Sequence, residues 1–192
     1  MCLTTSQTRP VTAEKPIKCY KVVQKSVDAD GKPRYSAYFA YSDAEYRIGE
    51  TFKDTNPFTR SLLNSIERGL HTFSPDGNGA RSLYEYAIKR RDYFRREEKK
   101  SFFPSEKDFF RSCAYDVALL ECEIPAGAEY YEGHCNCLTY YGYEELDQSG
   151  YVSDKLTPIR ELSRDEIAQM PYVTVDYECP FSPARSVRRK NP

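Results

Sequence analysis

Few residues in this chain have side chains suited to chemistry: it has two histidines, seven cysteines and no tryptophan, against 17 tyrosines and 10 phenylalanines. One histidine stands in Gly69-Leu70-His71-Thr72-Phe73, where an imidazole on a strand would orient a ligand or act as a base. No Ser/His/Asp set can be assembled around it, and no carboxylate partner follows from spacing, so a hydrogen-bonded structural histidine is the preferred reading. The other lies in His134-Cys135-Asn136-Cys137, which invites a zinc reading. Zinc sites pair their cysteines two to four residues apart, whereas Cys-x-Cys on a strand sends both sulfurs to one face. With no second pair at a standard distance, neither a metal nor any other cofactor is expected, and buried thiols are the better reading. Cys2 would become an N-terminal nucleophile if Met1 were removed, but the polar, proline-broken residues 3–16 do not resemble the buried strand such a nucleophile needs.

The remaining candidates are compositional. Tyr38, Phe39, Tyr41, Tyr46, Tyr130, Tyr131, Tyr140, Tyr141 and Tyr143 lie near expected strands, and residues 89–96 concentrate Lys and Arg, including Arg91 and Arg95. Aromatic faces beside cations suit a nucleotide-like or other anionic ligand; the alternative is packing tyrosines and a solvated helix face. The chain as a whole has 28 Lys and Arg against 29 Asp and Glu. That balance exerts no global pull toward nucleic acid or an anionic membrane, so electrostatic recognition has to come from local clusters.

The elements that must position these residues read as one domain. At 192 residues the chain is long enough to bury a core without disulfides. An odd number of cysteines in apolar, strand-like segments argues for reduced thiols. No run of about 18 apolar residues exists and residues 1–10 lack the apolar stretch of a signal peptide, so a cytoplasmic location is expected. Residues 1–16 are polar and aperiodic and read as an arm that is loose or wraps the surface, 17–178 as the domain, and 179–192 as a basic disordered tail; both ends are expected to be dispensable. Within the domain, Ile17 to Val23 and Tyr35 to Tyr41 flank an Asp-Gly turn signal and read as a hairpin. Asn56-Pro57, with Phe58, Leu62, Leu63 and Ile66 at helical spacing and Gly69 beyond them, reads as a helix. Leu70 to Phe73 then enters a sheet, and a second helix runs from Ala80 to about Lys100, its charged second half projecting along the surface or into solvent. Tyr115 to Ile124 reads as the central strand, turned at Pro125-Ala126-Gly127 toward Ala128 to Tyr131, and Lys155 to Leu162 as the last strand. Ser163 and Glu166 form a capping box for a short helix. The expected fold class is α+β, a curved and mainly antiparallel sheet flanked by two main helices.

Two resemblances add to this. The order Cys19-Tyr20-Lys21-Val22, Ser36-Ala37-Tyr38-Phe39, Tyr46-Arg47-Ile48-Gly49-Glu50, Gly69-Leu70-His71-Thr72-Phe73, Ile124-Pro125-Ala126-Gly127-Ala128-Glu129-Tyr130-Tyr131-Glu132-Gly133 and Tyr151-Val152-Ser153-Asp154-Lys155-Leu156 resembles small uncharacterised proteins of gut Bacteroidetes and their phages. Some of those also begin Met-Cys-Leu, and they carry no assigned activity to transfer. Against their pattern, residues 134–150 look like an insertion. The layout of a first strand with Tyr20-Lys21, a Gly-x-His-Thr element and a Pro-x-Gly turn also resembles the split sheet of ADP-ribosyltransferase-like proteins. That resemblance implies an NAD grip by an Arg or His on the first strand, a polar residue on the second and a Glu on a late strand. Here the first position is Lys21 and the late segment offers Ser153-Asp154-Lys155, two departures that weigh against catalysis. The expected function is therefore a small binding or interaction module of phage or mobile-element type that sequesters an anionic ligand. Its candidate binding residues are Tyr20, Lys21, Tyr38, His71, Thr72, Arg91 and Arg95; the alternative is an NAD-binding enzyme or an inactive relative.

Overall fold

In the computed structural model of the chain, residues 3–38, 44–55, 58–61, 65–135 and 148–173 are described. The organising strand is β3 (Ile17–Val27), whose Cys-x-Lys-x-Val alternation sends Cys19, Lys21 and Val23 to one face and Tyr20 and Val22 to the other. It pairs antiparallel along nine residues with β9 (Asp116–Ile124), from Ile17 opposite Ile124 to Lys25 opposite Asp116. Its other edge is shared. Residues 23–27 pair with β4 (Pro33–Ala37), and Tyr20 pairs with Phe73 of β8 (Leu70–Phe73). The turn from β3 to β4 closes because the Asp28 carboxylate accepts the amides of Asp30 and Lys32, both at 2.9 Å, while Gly31 takes φ 77°.

Beyond β8 the sheet continues through β11 (Ser149–Ser153), β10 (Glu129–Cys135), β1 (Leu3–Thr4) and β7 (Ser65–Ile66); beyond β9 it continues through β12 (Lys155–Glu161) and β6 (Phe52–Lys53). Every pairing among the described residues is antiparallel, and the sheet does not close. Two short strands complete it, β2 (Val11–Thr12) on β10 and β5 (Glu45–Tyr46) on β4. The expected α+β architecture is the one observed.

One face is covered by α1 (Gly79–Lys100), which lays Ala80, Leu83, Tyr86 and Ala87 on Val22, Phe73, Leu119 and Val152. The stripe recurs at helical spacing as far as Phe94, and no residue after it is buried. Six further residues at 1.5 Å each carry the helix about 9 Å past its last buried contact. Pro104 then opens α2 (Pro104–Cys113), a helix the sequence reading missed, which folds back on α1 without burying a single residue. The opposite face of the sheet holds Cys19, Val23, Leu70, Leu120, Cys122, Ile124 and Leu156, closed by Ala13, Tyr35, Tyr46 and Ala128. A short α3 (Arg164–Ala168) begins at the expected capping box, with Ser163 Oγ accepting the Glu166 amide.

Two expectations are corrected. In its described residues, 3–16, the arm is not loose: Leu3 is fully buried between Cys135 and Ile66, Thr5 Oγ1 donates to the Glu132 carbonyl, and Ala13 exchanges backbone hydrogen bonds with Ala128 and Gly127. A polar segment anchored only by the buried Leu3 and Ala13 lacks the periodicity that sequence reading relies on, yet Leu3 is enough to seat β1 between β10 and β7. The helix expected from Asn56 to Gly69 is absent from the described part of that stretch. There the chain reverses, with the Glu67 amide bonded to the Thr59 carbonyl and Ser61 to Ser65, and Ile66 enters β7. Phe58 and Ile66 meet the core from this hairpin instead, Phe58 edge-on to Tyr131 at 5.2 Å. Asn56, Pro57, Leu62 and Leu63 lie outside the described residues, as do Cys2, Phe39, Tyr41, Cys137, Tyr140, Tyr141, Tyr143 and the tail 179–192.

Candidate functional site

Four of the seven candidate residues lie where β3 crosses β8, with the Tyr20 side chain on the face opposite Lys21. The Lys21 ammonium is buried, donates to the His71 backbone carbonyl at 2.7 Å and sits 5.2 Å above the Tyr46 ring. That contact uses the lysine to tie β3 to β8 where only one residue pair bridges them. His71 is itself buried, with Nδ1 3.1 Å from the Gly69 carbonyl and Nε2 3.2 Å from that of Ile66. Burial, then the nearby Lys21 charge, pushes its pKa down to about 3, so the ring is neutral and donates to only one of the two carbonyls. Thr72 is fully buried and its carbonyl faces the Cys135 thiol at 3.6 Å. Tyr20 alone of the four remains partly exposed, beside Lys18. Lys21, His71 and Thr72 form a stitched interior in which the His71 ring is buried with both nitrogens turned to backbone carbonyls, away from solvent.

The thiols around it are inert for the same reason. Cys19 and Cys122 face each other across β3 and β9, and burial lifts Cys19 and Cys135 to about 12 and Cys122 well above its ordinary value. All four cysteines among the described residues are free, and no three His, Cys, Asp or Glu side chains there gather around a common point.

The Ser153-Asp154-Lys155 segment is a structural turn. The Asp154 carboxylate accepts the Glu129 amide at 2.8 Å, Ser153 Oγ donates to the Lys155 carbonyl, and Lys155 Nζ reaches the Gly127 carbonyl. The last strand does supply a glutamate that sequence reading passed over: Glu161 accepts Lys25 Nζ at 2.7 Å and the Tyr35 hydroxyl at 2.8 Å. Burial and the carboxylate together raise the Tyr35 pKa. No local pattern marks Glu161, because its partners lie 136 and 126 residues away.

The other candidates sit elsewhere. Tyr38 packs edge-on to Tyr115 at 5.6 Å, and the Arg90 guanidinium bonds the Tyr115 hydroxyl at 2.8 Å between the rings of Tyr115 and Phe94. Arg91 and Arg95 both reach the Asp116 carboxylate, at 3.2 and 2.9 Å, and Arg91 also holds Asp92. Asp116 opens β9, so these arginines pin α1 to the central strand and much of their charge is compensated. They do not join the β3 and β8 cluster.

Uncompensated charge lies further along α1. Between Lys89 and Cys113 nine Lys and Arg face five Asp and Glu, in a chain whose net charge is −1. Lys100 pairs with Glu97, and Arg111 with Glu98 and Asp108, which leaves Arg96, Lys99 and Lys107 without an acidic partner among the described residues. Beside them Phe102, Phe103 and Phe109 are 92%, 65% and 54% exposed. Sequence reading singled out the first part of this basic run but not the phenylalanines, whose exposure depends on α2 folding back. Comparison with protein-family models, curated proteins and solved structures finds no match to this chain.

Proposed function

We propose that this protein is a binding module for an anionic partner, with the α1–α2 hairpin as its contact surface. The observation that carries the reading is a ten-residue helix that buries none of its residues and leaves three phenylalanines in solvent. Their combined exposure amounts to about 400 Å², the size at which an apolar patch on a monomer is commonly functional. Arg96, Lys99 and Lys107 supply the electrostatic half of the surface. A catalytic reading has less support, because His71, Lys21 and Thr72 spend their polar groups on the fold.

Inorganic polyphosphate tests the reading, since it offers charge without other recognition features. Binding measured by biolayer interferometry is expected to weaken as salt rises and to be lost in Arg96→Glu/Lys99→Glu/Lys107→Glu, while His71→Ala binds like the wild type if it stays folded. Unchanged binding by the triple variant, or an NAD-consuming activity that needs His71, would overturn it.

A further inference from the structure

We infer that the anionic partner is a single-stranded nucleic acid, held by bases stacked on Phe102, Phe103 and Phe109 and by phosphates on Arg96, Lys99 and Lys107. This rests on the binding-module reading and goes beyond it by naming the ligand class.

Three observations point this way. Between Lys99 and Cys113 every large apolar side chain is a phenylalanine, with no Leu, Ile, Val or Met among them. A surface selected only for apolarity has no need of rings, whereas a base stacks on a π-face whatever its sequence. The rings are also displayed on a projecting tip. Phe102 and Phe103 stand between the two helices, 92% and 65% exposed, and Phe109 lies a turn and a half further along α2, where it packs edge-on to Phe94 and Phe110 and keeps about half of its surface in solvent.

The third observation separates this ligand from an anionic lipid surface. Glu106, in the first turn of α2, lies three residues from the N-cap Phe103 and one turn before Phe109, exposed between them in sequence, with its carboxylate accepting a hydrogen bond from Ser101 Oγ at 2.6 Å. A membrane deep enough to take both rings would also have to take this carboxylate, whose charge one serine hydrogen bond does not neutralise, and burying it is costly. A strand that stacks on discrete rings leaves Glu106 in water. The three unpaired cations flank the rings, Arg96 and Lys99 successive on one stripe of α1 and Lys107 one turn past Phe103.

The experiment compares fluorescein-labelled dT12 and rU12 with base-free polyphosphate and with vesicles containing phosphatidylglycerol. Both oligonucleotides are expected to bind, with log K falling against log salt at a slope of about −2, as three phosphate contacts on a single strand imply. Phe102→Leu/Phe103→Leu keeps the apolar surface and loses the rings, and should weaken oligonucleotide binding by about 5- to 150-fold per stacked base. Phe102→Trp/Phe103→Trp should restore it, and neither variant should change polyphosphate binding. Because these side chains are exposed, thermal melts should match the wild type. Oligonucleotides that bind no more tightly than polyphosphate, or binding indifferent to Phe→Leu, would overturn the nucleic-acid assignment and leave the anion-binding reading standing. Vesicle binding that survives Phe→Leu while oligonucleotides fail would replace it with a lipid surface. Failure of every probe would remove both.

Discussion

Removing residues 1–15 is expected to cost this protein most of its stability, although the segment reads as a dispensable arm. Leu3 is fully buried, and truncating such a leucine costs about 2–5 kcal/mol in lost transfer energy and residual cavity. Deletion also removes the Thr5 and Gln7 contacts to Glu132 and both backbone bonds between Ala13 and the turn at Gly127 and Ala128, each worth about 1 kcal/mol. The combined loss of roughly 6–9 kcal/mol is comparable to the whole stability of an ordinary domain. The measurement is urea unfolding followed by circular dichroism. With a slope of about 2–3 kcal/mol per molar, Leu3→Ala should lower the midpoint by about 1–2 M, and the deletion should abolish the cooperative transition. Thr12→Ala, exposed on the same arm, should stay within about 0.5 kcal/mol of the wild type. A deletion variant with an unchanged midpoint would refute the reasoning and return residues 1–15 to the status of a loose arm.

His71 makes stability depend on acid. With a native pKa of about 3 against 6.5 in the unfolded chain, its contribution is complete above pH 6.5 and falls by up to about 1.4 kcal/mol per pH unit toward pH 3, as the unfolded state alone takes up the proton; His71→Gln should flatten that part of a plot of urea midpoint against pH, and parallel curves would contradict it. Gly150→Ala should destabilise by more than the usual 1–3 kcal/mol of overpacking, because its Cβ would lie 2.2 Å from the Thr72 carbonyl oxygen and the backbone must move; a melting temperature equal to wild type would show that β8 and β11 are not so tightly joined. Arg91→Glu/Arg95→Glu should lower stability, by about 1–2 kcal/mol on urea titration, because it sets two carboxylates against Asp116; Asp116→Lys in that background should recover part of the loss, and no recovery would show the contact to be incidental.

Local signals determined much of this protein by themselves. The Asp28 to Lys32 turn, the Ser163 capping box, the stripe on α1 and the strands begun at Ile17, Leu70, Asp116 and Lys155 each follow from neighbours within a few residues, where propensity and periodicity act, although the first runs on to Val27, four residues past its expected end. What tertiary structure alone decided involves partners distant in the chain. Leu3 becomes core only when β10 and β7 arrive on either side of it. Ile66, at helical spacing in the sequence, is instead a buried strand residue paired with Leu3. Lys21 and Thr72, attractive as ligand contacts in a linear reading, face inward because β8 crosses β3 at Tyr20. Arg91 and Arg95 look like free charge until β9 brings Asp116 to them. Conversely, Phe102 and Phe103 look like core in a list of apolar residues and are solvent-facing because α1 outruns the sheet it packs on. Side-chain type sets which contacts are possible, and the crossing of strands far apart in sequence sets which polar groups are consumed by the fold and which are left for a partner.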